Sequence, residues 1–309
     1  MCTNSNLTTQ RYGPGSNYGY VCGGSRSSNY FSTIDRFQFP FDSGTTNQVG
    51  NLSGSRKESS ANNSSTYGYV CGGYSSQILS VINRFQFPFD SGTANHVGNL
   101  CRNRKQLCAN NSSTHGYVCG GTEIFWISTI DRFQFPFDEG TANLIGNLSR
   151  RRSWSSANNS STYGYVCGSW YSILDRFQFP FDNGSVSQVG NLSEDRTGLS
   201  TNNSSTYGYV CGGHSSNGIL SAIDRFQFPF DSGTANQVGN LSGSRTLLSA
   251  NNSSTHGYVC GGWIGDPLSI IDCFQFPFDS GTASQIGNLS GSRNDLSAID
   301  GVDFVTMFV

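Results

Sequence analysis

Charge is scarce in this 309-residue chain: Asp, Glu, Lys and Arg together supply 12% of it, about half the ~25% usual for globular proteins. The net charge is −2, which argues against a nucleic-acid binder working by phosphate neutralisation. Long apolar runs are also missing. None approaches the ~20 residues that a membrane-spanning helix needs, so no membrane insertion is expected. The opening segment, MCTNSNLTTQRYGPG, has no apolar core and does not read as a secretory signal. Without such a signal, ten cysteines point to a reducing compartment with thiols as the default. Apolar residues at helical spacing are absent as well, because Gly, Ser, Asn and Thr interrupt every run of ten. What the chain does have is 38 Gly, 22 Phe and 14 Tyr, enough apolar bulk for a core, so wholesale disorder is not expected.

The residues repeat. FQFPFD begins at Phe37, Phe85, Phe133, Phe177, Phe226 and Phe274, at intervals of 44 to 49 residues. GYVCG lies upstream of each copy, starting at Gly19, Gly68, Gly116, Gly164, Gly208 and Gly257. Downstream, a V/I-G-N-L segment runs to Arg56, Arg104, Arg152, Arg196, Arg245 and Arg293, and a polar NNSST-like tract leads into the next unit. In IDRFQFPFD, Phe37, Phe39 and Phe41 share one parity, which predicts a strand with one buried face. Pro40 cannot donate a ladder hydrogen bond, so that strand should end or bulge there. GYVCGG, QVGNL and LSANN are shorter strand candidates. Four strands per unit make one propeller blade, and a lone blade would have nothing against which to bury its phenylalanines. The expectation is an all-β propeller of six four-stranded blades, one domain over 1–309, with 294–309 a closing strand or tail. The alternative is seven blades, one of them composite and built from both termini.

The order of glycine pair, variable stretch, aromatic strand and closing arginine resembles the kelch repeat, over about Asn6 to Arg293. It departs from that pattern at Val49, Val97, Ile145, Val189, Val238 and Ile286, where kelch units usually carry tryptophan, and at Gly168-Ser169, where the glycine pair is broken. The phrasing S-T-H/Y-G-Y-V-x-G-G…I-D-R-F-x-F also resembles kelch-like repeat proteins of marine tailed phages. That resemblance implies a virion surface component, a decoration or fibre-type protein. Its partner would be a capsid or tail protein, or a host surface glycan or protein, with self-association on a particle also open. The alternative is a cytoplasmic kelch-type interaction scaffold.

Copies within the chain differ in two places: after the glycine pair, and around the repeat's arginine. With strands a to d counted outward from the axis, GYVCGG as b and the Phe strand as c, these stretches are the b–c and d–a loops. Antiparallel succession puts both on one face. Trp126, Trp170 and Trp263 fall in b–c loops and Trp154 in a d–a loop, and loops on a rigid scaffold are where binding residues collect. The candidate ligand-binding residues are therefore Trp126, Trp154, Trp170, Trp263, Tyr74, Arg104 and Arg151. Catalysis, metal and cofactor are not expected. One cysteine per blade keeps Cys22, Cys71, Cys119, Cys167, Cys211 and Cys260 apart, and four scattered histidines assemble no triad. Whether Cys101 and Cys108 pair is left open.

Overall fold

The computed structural model describes residues 17–301; the expectations for Cys2, for Asn6–Arg11 and for 302–309 lie outside them. Strands of four to six residues build six antiparallel sheets, each ordered a-b-c-d, around one axis. In the second blade a is Ser60–Asn63, b Tyr67–Cys71, c Val81–Gln86 and d Asn95–Asn99. In the first blade, b, c and d are Tyr18–Cys22, Thr33–Gln38 and Asn47–Asn51. Strand c thus ends at Gln38, ahead of Pro40, as the missing donor requires. Strand a of the first blade is Ser297–Gly301, far along the chain, paired antiparallel with Tyr18–Cys22 from Tyr18↔Gly301 to Cys22↔Ser297. The count is therefore six blades: the two distant segments meet inside blade one and make no seventh.

Each core lies between blades. Tyr20, Cys22 and Ile34 of blade one pack with Val70, Phe85 and Phe87 of blade two. Tyr20 stacks on Phe87 at 5.3 Å and its hydroxyl accepts the Phe89 N–H at 3.0 Å. The same Tyr-to-Phe seat recurs at all six junctions, ending with Phe41 N–H to the Tyr258 hydroxyl at 3.2 Å. Gly19 lets the Phe37 ring lie flat on strand b; a Cβ there would sit 2.6 Å from Cζ. In blade one, Ile34 pairs with Gly50 and Asp35 with Gln48, so Val49 is the extra residue of a bulge and leans onto the core. The outer edge of each d strand is covered by a short parallel pairing with the next blade's c–d turn, as between Asn51 and Thr93, which removes a free sheet edge.

Polar residues complete the ring. The Asn62 side-chain amide donates to Asn110 O at 2.8 Å and to Asn111 Oδ1 at 2.9 Å in the next blade. Asn110, Asn158, Asn202 and Asn251 repeat this reach. The polar NNSST tract is thus a girdle of inter-blade bonds around a central channel of about 160 Å³.

Candidate functional site

The b–c and d–a loops share one face, as antiparallel succession dictates, and they bond to each other: Lys57 bridges Tyr74, Lys105 bridges Thr122, and Thr246 bridges Trp263. Under this face the repeat's arginines are structural. Arg104 is fully buried, 2.5 Å from Asp131, and donates to the Gly120 and Thr129 carbonyls. Arg152–Asp175, Arg196–Asp224, Arg245–Asp272 and Arg293–Asp35 are the same pair in other blades, while Arg56 meets the neutral Asn83 at 2.9 Å. Arg104, expected to contact a ligand, is instead fully buried beneath the face and faces Asp131, so no ligand on that face reaches its guanidinium.

The other candidates divide by position. Trp126 and Arg151 come together in a groove of about 720 Å³ between blades three and four, with Ile124, Phe125, Arg150 and Tyr171. Trp170 is 48% exposed beside it, with its ring edge-on to His214 at 6.4 Å. Tyr74 and Trp263 are half-buried; Tyr74 meets Tyr30 edge-on at 5.9 Å, and the Lys105 ammonium lies 4.8 Å from its ring centre. Trp154 is in neither group. It belongs to a collar at the channel mouth.

That collar escaped the sequence reading. Glu58, Gln106, Trp154, Gly198, Leu247 and Asp295 each stand two residues after a repeat arginine, and each has positive φ. Their backbones form a closed cycle: the N–H of Gln106 donates to Glu58 O, Trp154 to Gln106, Gly198 to Trp154, Leu247 to Gly198, Asp295 to Leu247 and Glu58 to Asp295, at 2.7 to 3.0 Å. On one side of the mouth Lys57 and Lys105 approach Glu58 at 3.2 Å, and Asp295 accepts from Asn294 Nδ2 at 3.0 Å. Burial, with Glu58 adding to it, pushes the Asp295 carboxyl up to about 7. A fixed offset from Arg filled by six different residues was the signal available beforehand.

The groove has a sharper feature. The hairpin between Thr122 and Trp126 closes through Glu123 N–H to Phe125 O, and blade two's hairpin between Tyr74 and Ile78 closes the same way through Ser75 and Gln77. Blade two presents Ser75, Ser76 and Gln77 at this tip; blade three presents Glu123, Ile124 and Phe125, with Ile124 82% and Phe125 73% exposed. The backbone needs no apolar residue there. Among the nearby cations, Arg102 pairs with Glu123 at 3.5 Å, while Arg151 is exposed and Arg150 lies 5.5 Å from the Tyr171 ring centre. The nine described cysteines are all free. Cys101 Sγ donates to Asp131, and Cys108 Sγ contacts the Cys119 carbonyl instead of Cys101. Among the described residues, no three His, Cys, Asp or Glu side chains converge to hold a metal ion. No known protein-family model matches the chain, and no curated protein is significantly similar to it.

Proposed function

We propose that this chain is a non-enzymatic binding propeller that docks a partner in the groove between blades three and four. Its setting in this proposal is a virion surface, where it serves as a decoration or fibre-type component and meets a capsid or tail protein or a host surface. The observation that carries the binding role is the exposed Ile124–Phe125 tip, set where an identical hairpin in blade two is polar. Apolar side chains kept in water by a backbone that does not require them mark an interaction surface. Trp126 and Tyr171 behind the tip add aromatic area, and Arg150 and Arg151 place cations at its rim, the usual make-up of an interface. The virion setting rests on the resemblance of the repeat phrasing to kelch-like phage proteins, and many weak contacts per particle would add up by avidity.

The test is co-sedimentation of the purified protein with virus particles, alongside binding to a glycan array. One of the two should show binding, and Ile124→Ser/Phe125→Ser should weaken it at least tenfold while leaving the melting temperature unchanged. Absence of binding in both assays overturns the reading. Nine free thiols fit the cytoplasmic scaffold equally well. A single tight cellular protein partner, lost in Trp126→Ala/Trp170→Ala, would replace the virion setting with that one.

A further inference from the structure

Of the inter-blade devices that repeat around this ring, two fail where it is closed by a strand from far along the chain. An arginine on strand c reaches the turn aspartate of the next blade: Arg36 to Asp90, Arg84 to Asp138, Arg132 to Asp182, Arg176 to Asp231 and Arg225 to Asp279. At the sixth junction the arginine is replaced by Cys273, facing Asp42. Five asparagines cross from an inner strand to the next, and the sixth place is Ile299, which packs on Val70 and Phe85 instead. Across that seam Asn63, itself 7% exposed, has a side-chain nitrogen with no partner among the described residues. The Tyr-to-Phe seat is kept throughout, and so is Arg293–Asp35, the arginine–carboxylate pair at this closure.

The surface that lacks these bonds is the one that must part if Ser297–Gly301 leaves. Strands b, c and d of blade one are continuous in sequence with blade two, whereas its strand a is continuous with blade six. Among the described residues nothing covalent crosses between the two sides, so separation breaks the Tyr18–Cys22 ladder, the Ile299 seam and the blade six contacts, including Arg293–Asp35, the Gly287–Gly44 pairing and the Glu58–Asp295 collar bond. Departure would leave Tyr18–Cys22 with an unpaired edge of backbone donors and acceptors, which seeks another strand. The segment whose register and side chains fit that edge is Ser297–Gly301 of a second copy.

We propose that the ring opens at this surface and that copies of the chain exchange the Ser297–Gly301 strand, each completing the first blade of another. The exchanged ladder is identical to the closed one, so its formation costs little beyond the loss of free translation, and concentration drives it. Reciprocal exchange between two copies gives a closed two-fold dimer, and head-to-tail donation builds larger rings or chains of propellers. Neither depends on the groove between blades three and four.

The Cys22–Ser297 register pair provides the test. Ser297 Oγ lies 3.5 Å from the Cys22 carbonyl, much as Cys108 Sγ lies 3.7 Å from that of Cys119, so Ser297→Cys copies an arrangement the fold already holds. One copy carries Cys22→Ser with Ser297→Cys, and its partner is the wild-type chain. After incubation at high concentration and mild oxidation, a disulfide between the introduced thiol and Cys22 of the other copy should appear by peptide mass spectrometry. Its yield should rise with concentration and fall at least tenfold when both copies also carry Cys273→Arg and Ile299→Asn, which restore the repeat. Native mass spectrometry of mixed light- and heavy-isotope wild-type chains is the second readout, with mixed oligomers expected. Chains that stay monomeric without that disulfide overturn the proposal, as does undiminished exchange in the restored variant.

Discussion

Five of the six collar residues are not glycine although their backbones are left-handed, a conformation costing roughly 1–2 kcal/mol for an ordinary side chain. The closed cycle of N–H to carbonyl bonds holds them there. Gly198 shows what the collar asks of its one glycine. A Cβ at that position would come within 2.4 Å of Thr246 Oγ1 and 3.0 Å of a Leu247 methyl, and that hydroxyl is held there by its 3.1 Å bond to the Gly198 carbonyl. Gly198→Ala should therefore lower stability by about 1–3 kcal/mol, measured by denaturant unfolding; an unchanged midpoint would show that the Thr246 hydroxyl and the Leu247 methyl move aside freely. Single residues of this kind were only half visible beforehand. Trp154 and Arg151 were selected by the same reasoning from variable loops, yet one stands at the channel mouth and the other in the groove, though they are three residues apart in the sequence. Which way a loop side chain faces depends on the φ of its own residue and on the neighbouring blade, and neither can be read from composition.

At the scale of elements, the d–a linker is pinned by an ion pair that water does not reach. Arg104 and Asp131 are both fully buried and 2.5 Å apart. Removing one partner strands the other, at a typical cost of about 3–5 kcal/mol. Asp131→Ala should destabilise the chain by that order, while Asp131→Asn should cost markedly less, since blade two already runs on Arg56 with Asn83. Equal losses in the two variants, read by calorimetry, would contradict the buried-charge explanation. The repeated Arg and the Asp that precedes strand c's own Arg were both plain in the sequence as recurring letters. Their pairing was not, because they lie 23 to 28 residues apart in the chain's linear order at five junctions and 258 at the closing one, and only the propeller's turn brings them together. Strand c itself, by contrast, was legible to within two residues of its end, since alternation and a proline act locally: it stops at Gln38, short of Pro40, with Phe39 and Phe41 beyond it.

The whole molecule is closed by a strand carrying an unusual carboxylate. Asp300 takes the place of the girdle's second asparagine and accepts from Asn251 Nδ2, Asn252 N and Asn252 Nδ2; burial pushes its carboxyl up to about 6. Together with Asp295, held near 7 at the mouth, it binds protons in the folded state that the unfolded chain releases at about pH 4. Their contribution to stability is thus fully present below about pH 4 and is lost as pH rises through 6 and 7. Asp300→Asn, which restores the bonding pattern of Asn111, should raise the melting temperature at pH 8 by about 2–4 °C, the effect of ~1 kcal/mol, and leave it nearly unchanged at about pH 4. A gain of the same size at both pH values would show that the buried charge is not the cause.

By itself the sequence determined that the fold repeats six times, that each unit is four short strands, and that diversity gathers on one face. Those follow from periodicity, side-chain parity and antiparallel succession, which are properties of neighbouring residues. Tertiary structure decided how the ring shuts, which arginines are buried, and where the loops leave apolar side chains in water. Each of those depends on groups from different blades meeting across an interface, and their distances are set by closure of the whole wheel.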